Sequence, residues 1–100
     1  MIGQLNINKK KGVIIIIAGL YLITSIIFGL IYYSIRGNNN FKGLDEKSSF
    51  IDCLYFSLTT TSTVGYGDIS PKSELARLFV ILHQITLLSE IVIFVANSFR

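Results

Sequence analysis

The apolar positions fall into three blocks separated by polar stretches. Val13 to Ile35 is 23 residues without a charged side chain. As a helix this block is roughly 34 Å long, enough to cross a bilayer core with some tilt. Arg36 to Ser49 is polar, carries Gly37-Asn38-Asn39-Asn40, and reads as an exposed loop. Phe50 to Thr61 is apolar again, through Phe50, Ile51, Cys53, Leu54, Tyr55, Phe56 and Leu58. Ser49 suits an N-cap, and Asp52 stands where a capping box closes. At about 18 Å this helix is too short to span. A short apolar helix between two spans suggests a re-entrant segment, tolerated only where protein or a watery cavity satisfies the backbone beyond it. The third block, Leu75 to Phe99, is roughly 38 Å as a helix. Glu74 opens it, with Pro71 upstream as a start signal. It is less uniform than the first, with Arg77, His83, Gln84 and Glu90.

Composition supports the membrane reading. Only 15% of the 100 residues are charged, 51% are hydrophobic, and the mean hydropathy is +0.60. A soluble fold of this size cannot wrap a helix that is apolar on every side. The chain reads as one domain, an all-α membrane protein. Met1 to Gly12 followed by the first block has the outline of a signal peptide. The apolar run is too long for one, however, and no small-x-small site follows, so a retained span is expected. The net charge of +3 is dispersed apart from Lys9, Lys10 and Lys11. Those three read as a topology signal rather than a nucleic-acid patch. Arg36 to Glu74 has four basic residues against five acidic ones. Basic density therefore puts both termini in the cytoplasm and the connecting segment outside. With one cysteine, Cys53, no disulfide forms within the chain. No nucleophile-base pair or metal cluster appears, so no enzyme and no cofactor is expected.

The chemistry concentrates in Thr60-Thr61-Ser62-Thr63-Val64-Gly65-Tyr66-Gly67-Asp68. This run resembles the signature of the potassium channel family, and Thr63 to Gly67 is the very loop by which those filters are described. The resemblance extends over most of the chain. With Asp52-Cys53-Leu54-Tyr55-Phe56-Ser57 before the loop and Pro71-Lys72 after it, the chain is most similar to the miniature potassium channels of large algal viruses. It implies a pore module: first span 13–35, pore helix 50–61, filter 63–67, second span 75–99. It also implies a homotetramer embedded in lipid, with K+ as the permeant ion, in a host-cell or viral membrane.

The physical chemistry agrees with that implication. An ion in a narrow pore sheds its water only if oxygen dipoles replace it at similar energy. Backbone carbonyls suit the task, and aiming successive ones inward requires alternate residues in left-handed geometry. Glycine adopts that geometry freely, which accounts for Gly65 and Gly67. The carbonyls of Thr63, Val64, Gly65 and Tyr66 are the expected K+ ligands, with the Thr63 hydroxyl as an innermost ring. Val64 and Tyr66 are expected to face away from the ions. Tyr55, Thr59, Thr60 and Asp68 are the expected supports. Some family members carry a carboxylate at the position of Thr59 that pairs with the aspartate after the filter. Here Asp68 needs another partner, for which Tyr55 is a candidate, or it faces water. The second span holds no glycine, which disfavours hinge bending as a gate.

Polar residues inside the second span form a stripe. His83, Glu90 and Asn97 are seven apart, with Thr86 nearby. A charge in a span is costly unless it meets water or a partner. The stripe is expected to line a water-filled cavity; the alternative is helix-to-helix hydrogen bonding, or for His83 packing behind the filter. Two other functions compete with a selective channel: a nonselective cation channel, which Tyr66 argues against, and a two-span protein that only modulates a partner, which has no use for the glycine loop.

Overall fold

A computed structural model describes residues 2–98. Three helices dominate: α1 (Ile2–Ser34), α2 (Phe50–Thr61) and α3 (Glu74–Ser98). The body is 57 × 22 × 21 Å, as expected of long helices lying side by side. Two stretches, Asn8–Ser34 and Glu74–Asn97, are long and apolar enough to cross a membrane. The expected end of the last helix, Phe99, lies outside the described residues.

α1 starts well before Val13. Nothing between Ile2 and Gly12 stops a helix: there is no proline, and lysine, leucine and glutamine are good helix formers. Its C-terminal carbonyls are satisfied locally. Arg36 donates to Tyr33 O at 2.7 Å, and Asn40 Nδ2 to Ile35 O at 2.8 Å. α2 opens with a capping box in which Ser49 Oγ accepts from Asp52 N at 3.2 Å and Asp52 Oδ2 accepts from Ser49 N at 3.0 Å. α3 is capped by Ser73, whose Oγ accepts from Ala76 N at 3.0 Å and donates to Asn40 Oδ1 at 2.7 Å. Asn40 thus ties the end of α1 to the start of α3.

The segment 36–49 is not the simple exposed loop its polarity predicts. Phe41 and Leu44 are buried, with Phe28, Tyr32, Cys53, Phe56 and Ala76 around them. The rings of Tyr32, Phe41 and Phe56 meet edge to face, with centroids 5.0 to 5.8 Å apart. Two apolar anchors in a polar loop are enough to pull it down onto the helices. Phe41–Lys42 (β1) then pairs antiparallel with Ser70–Pro71 (β2), Phe41 opposite Pro71. Among the described residues the remaining regular structure is helical.

α1 packs on α2 through Gly29, where an added Cβ would sit 3.4 Å from Leu54 Cα. Gly19 faces open space. Large aliphatic residues along both long helices stay exposed: Ile15 at 71%, Ile16 at 65%, Leu88 at 61% and Val92 at 59%. Apolar surface on this scale needs lipid or further copies of the chain to cover it.

Candidate functional site

The site begins in the last turn of α2. A helix C-terminus leaves carbonyls without partners. Here the amides of the following loop take them. Thr60 O accepts from Thr63 N at 3.2 Å, and Thr59 O accepts from both Val64 N at 3.1 Å and Gly65 N at 3.3 Å. The start of the loop is therefore an extension of the helix end and moves with it. The hydroxyls of Thr59, Thr60 and Ser62 bond back to carbonyls one turn earlier, at 2.8 to 3.1 Å. They make the last turn internally satisfied.

The loop backbone alternates in hand. Thr63, Gly65 and Gly67 have φ of 60°, 55° and 84°, while Val64 and Tyr66 between them keep negative φ. An ordinary strand sends successive carbonyls to opposite sides. Inverting every second residue brings them round to one side. The glycines reach this geometry without strain. Thr63 does not: a β-branched residue at positive φ is an outlier that costs about 1–3 kcal/mol. It is held there by the hydrogen bond of its own N–H to Thr60 O and those of the next two N–H groups to Thr59 O, which side-chain identity does not disclose. The Thr63 hydroxyl donates to Ser62 O at 2.6 Å, so in the single subunit it is turned to its own backbone.

Beyond the loop, Tyr55 braces two residues at once. Its hydroxyl donates to Asp68 Oδ2 at 3.0 Å, and its ring stacks on Tyr66 at 6.3 Å and 5°. Asp68 Oδ1 accepts from Ile69 N at 3.1 Å. Thr59 contributes its carbonyl to the loop, and its hydroxyl goes to Phe56 O rather than to Asp68. Gly43, in the outer segment, lies against this corner. A Cβ there would stand 2.3 Å from Asp68 O.

The polar stripe of α3 is divided by the structure. His83 is fully buried and Glu90 nearly so, and both turn toward α1 rather than toward open space. Glu90 Oε1 accepts from Thr24 Oγ1, and His83 lies flat on Phe28 at 4.3 Å. Asn97 remains exposed and Thr86 is half-buried, and Thr86 Oγ1 donates to Leu82 O at 2.9 Å. The concavity below the loop, about 440 Å³, is lined by Thr61, Thr63 and Gly65 from above and by Gln84, Leu88 and Ile91 from α3. The α3 face that meets the loop is thus set by Gln84, Leu88 and Ile91. Their i, i+4, i+7 spacing was the available signal. His83 and Glu90 face α1, which offers them hydroxyls at Tyr32 and Thr24, although Glu90 Oε2 is left buried without a hydrogen bond in the single subunit.

Comparison with known proteins places this geometry in a family. Residues 20–100 match the family described as Ion channel. Potassium channel protein kcv of Paramecium bursaria Chlorella virus 1 is 45% identical over 71 residues, covering 67% of this chain and 76% of that protein. Two-pore potassium channel 4 of Arabidopsis thaliana is 37% identical over 76 residues, 76% of this chain but 26% of the plant protein. Voltage-gated potassium channel Kch of Escherichia coli is 48% identical over 54 residues, 52% of this chain and 13% of the bacterial protein. The plant and bacterial relatives share only their matching segment with it. With two membrane-crossing helices on either side of a short helix and its loop, the chain belongs to the ion channel family, and is a membrane channel protein rather than an enzyme.

Proposed function

We propose that the chain is the subunit of a potassium-selective channel, in which four copies surround one filter built from Thr63 to Gly67. The observation that carries this reading is the alternation of left-handed and right-handed residues through the loop. It is the backbone geometry that turns the carbonyls of Thr63, Val64, Gly65 and Tyr66 to a common side. One chain supplies a quarter of an ion's oxygen cage, and closed four-fold symmetry completes it. That symmetry also covers the loop, which is exposed in a single subunit. The relatives named above are all potassium channels by name, which supports K+ as the permeant ion.

In this reading Tyr55 holds Tyr66 and Asp68 at the outer end, and the carbonyls of Thr59 and Thr60 hold the inner end. The C-terminus of α2 turns its negative dipole toward the space below the loop, where a cation is favoured. Lys9, Lys10 and Lys11 favour cytoplasmic termini, which puts Tyr55, Asp68 and the β1–β2 pair on the outer side. No further cofactor is needed, because the ion crosses passively.

Three measurements test the proposal. Native mass analysis in mild detergent is expected to show a tetramer; a population of monomers and dimers alone contradicts it. External barium, a divalent ion of similar size to K+, is expected to block the wild type. Gly65→Ala, which places a Cβ at φ +55°, is expected to abolish current or K+ preference. A Gly65→Ala channel with unchanged selectivity would remove the loop from the conduction path.

A further inference from the structure

A chain of hydrogen bonds, buried at Tyr32 and His83 and half-buried at Thr61, runs behind the loop and links all three helices. Tyr32 Oη meets His83 Nδ1 at 2.9 Å, and His83 Nε2 meets Thr61 Oγ1 at 3.1 Å. Thr61 Oγ1 meets Ser25 Oγ at 2.7 Å, and Ser25 Oγ donates to Tyr21 O at 2.7 Å. Tyr32, His83 and Ser25 are fully buried and Thr61 is half-buried at the edge of the concavity, so the hydroxyl of Tyr32 and both ring nitrogens of His83 depend on partners within this set.

The last bond fixes the direction of all the others. A serine hydroxyl has one proton, and that of Ser25 goes to Tyr21 O. Ser25 therefore accepts from Thr61. Thr61, its own proton used, accepts from His83 Nε2–H. A neutral imidazole then has a bare Nδ1, which accepts from Tyr32 O–H. Every proton has a place. Running the chain the other way takes the Ser25 proton from Tyr21 O and leaves the Tyr32 hydroxyl proton buried without an acceptor. An imidazolium does the same to Tyr32. Only the neutral Nε2–H tautomer satisfies the whole set.

We infer that His83, held as the neutral Nε2–H tautomer, is a positioning residue that acts through Thr61 on the inner end of the filter. Thr61 is the last residue of α2. The two residues before it, Thr59 and Thr60, hold the amides of Thr63, Val64 and Gly65 through their carbonyls. A bond at Thr61 therefore fixes the turn on which the first three filter amides rest. Ser25 anchors that turn to α1 and His83 anchors it to α3, so a relative shift of the two spans reaches the filter through one hydroxyl. The inference rests on the channel reading above and adds a residue outside the loop to its machinery.

His83 is the only histidine of the chain, so a single pair of ring nitrogens reports on it. The experiment is nitrogen-15 NMR of histidine-labelled, full-length tetramer in lipid bilayers, run beside current recordings of the same preparation. The expected spectrum has Nε2 protonated and Nδ1 bare; an Nδ1–H tautomer or an imidazolium overturns the inference. The functional arm compares Thr61→Val with Thr61→Ser. Valine keeps the shape and loses the hydroxyl. It loses the bonds to both Ser25 and His83 and is expected to change the dwell time of internal barium by at least about fivefold, the effect of a single lost hydrogen bond, and serine to restore it. A Thr61→Val tetramer with the wild-type dwell time overturns the positioning role. If Thr61→Val yields no tetramer, His83→Asn replaces it: this keeps the acceptor for Tyr32, loses the reach to Thr61, and is expected to shift the dwell time alike. Wild-type currents that fail to select K+ would instead defeat the channel reading and leave the tautomer result standing.

Discussion

Gly43→Ala is the substitution whose effect the structure specifies most sharply. Gly43 has φ of +88°, and a Cβ built on it stands 2.3 Å from Asp68 O and 3.2 Å from both Ile69 Cα and Cγ1. Real Cβ contacts stay beyond 3.0 Å, so the Asp68 carbonyl must retreat by at least 3.0 − 2.3 = 0.7 Å. That carbonyl is backbone and cannot rotate out of the way. The residue it belongs to also carries the carboxylate that Tyr55 holds. The positive φ costs an alanine about 1–3 kcal/mol, and forcing atoms into packed space costs about 1–3 more. Even the lower sum, about 2 kcal/mol per subunit, is more than a tenfold change in equilibrium. The expected result is a tetramer that dissociates at lower temperature in detergent, with reduced or unstable current. Gly43→Asn tolerates the backbone better yet still carries a Cβ, and is expected to fail as well. Gly12→Ala is the control: its Cβ meets nothing within 4 Å, and helix propensity favours alanine by about 1 kcal/mol. Gly43→Ala channels with wild-type thermal stability and currents would refute the argument that the outer segment presses on the end of the filter.

Tyr55→Phe keeps the stack on Tyr66 and loses the bond to Asp68, at a cost of about 1 kcal/mol because both groups are partly open. It is expected to shorten open dwell times, and Tyr55→Leu to shorten them further; equal dwell times in the two variants would dismiss the brace. Ser49→Ala removes the capping box of α2 and is expected to cost about 1 kcal/mol of tetramer stability with unchanged K+ over Na+ preference, read by thermal dissociation and reversal potential. Glu90→Gln keeps a carbonyl for Thr24 and is expected to leave current and internal cation block near normal. Glu90→Leu is expected to weaken the tetramer, since Thr24 loses its acceptor. Weakened internal magnesium block in Glu90→Gln would put that carboxylate on the ion path instead.

What the sequence disclosed follows from which interactions are local. The two spans and the short helix between them are written in uninterrupted apolar runs, and the capping box in two residues three apart. Gly65 and Gly67 are legible because a backbone that must turn left-handed favours glycine. Thr63 at the same geometry was not legible, since the bonds that keep it there run between backbone groups at the end of α2 and leave no mark on side-chain identity. Phe41 and Leu44 escaped notice because a polar average over residues 36–49 hides two buried anchors. The polar stripe of α3 was visible as a stripe, but its direction depends on which hydroxyls α1 presents, and helical spacing within one element carries no such information. Tyr55 was a candidate partner for Asp68 in the sequence; the bond itself depends on how the loop after the filter folds back on α2.

The central claim is that the loop at Thr63 to Gly67 selects potassium. The most direct test is the reversal potential of the purified protein in a planar bilayer with K+ salt on one side and Na+ salt on the other. The account predicts a current that reverses far toward the potassium equilibrium potential and follows it as the K+ gradient is changed. A reversal near zero with comparable currents of both ions would contradict it.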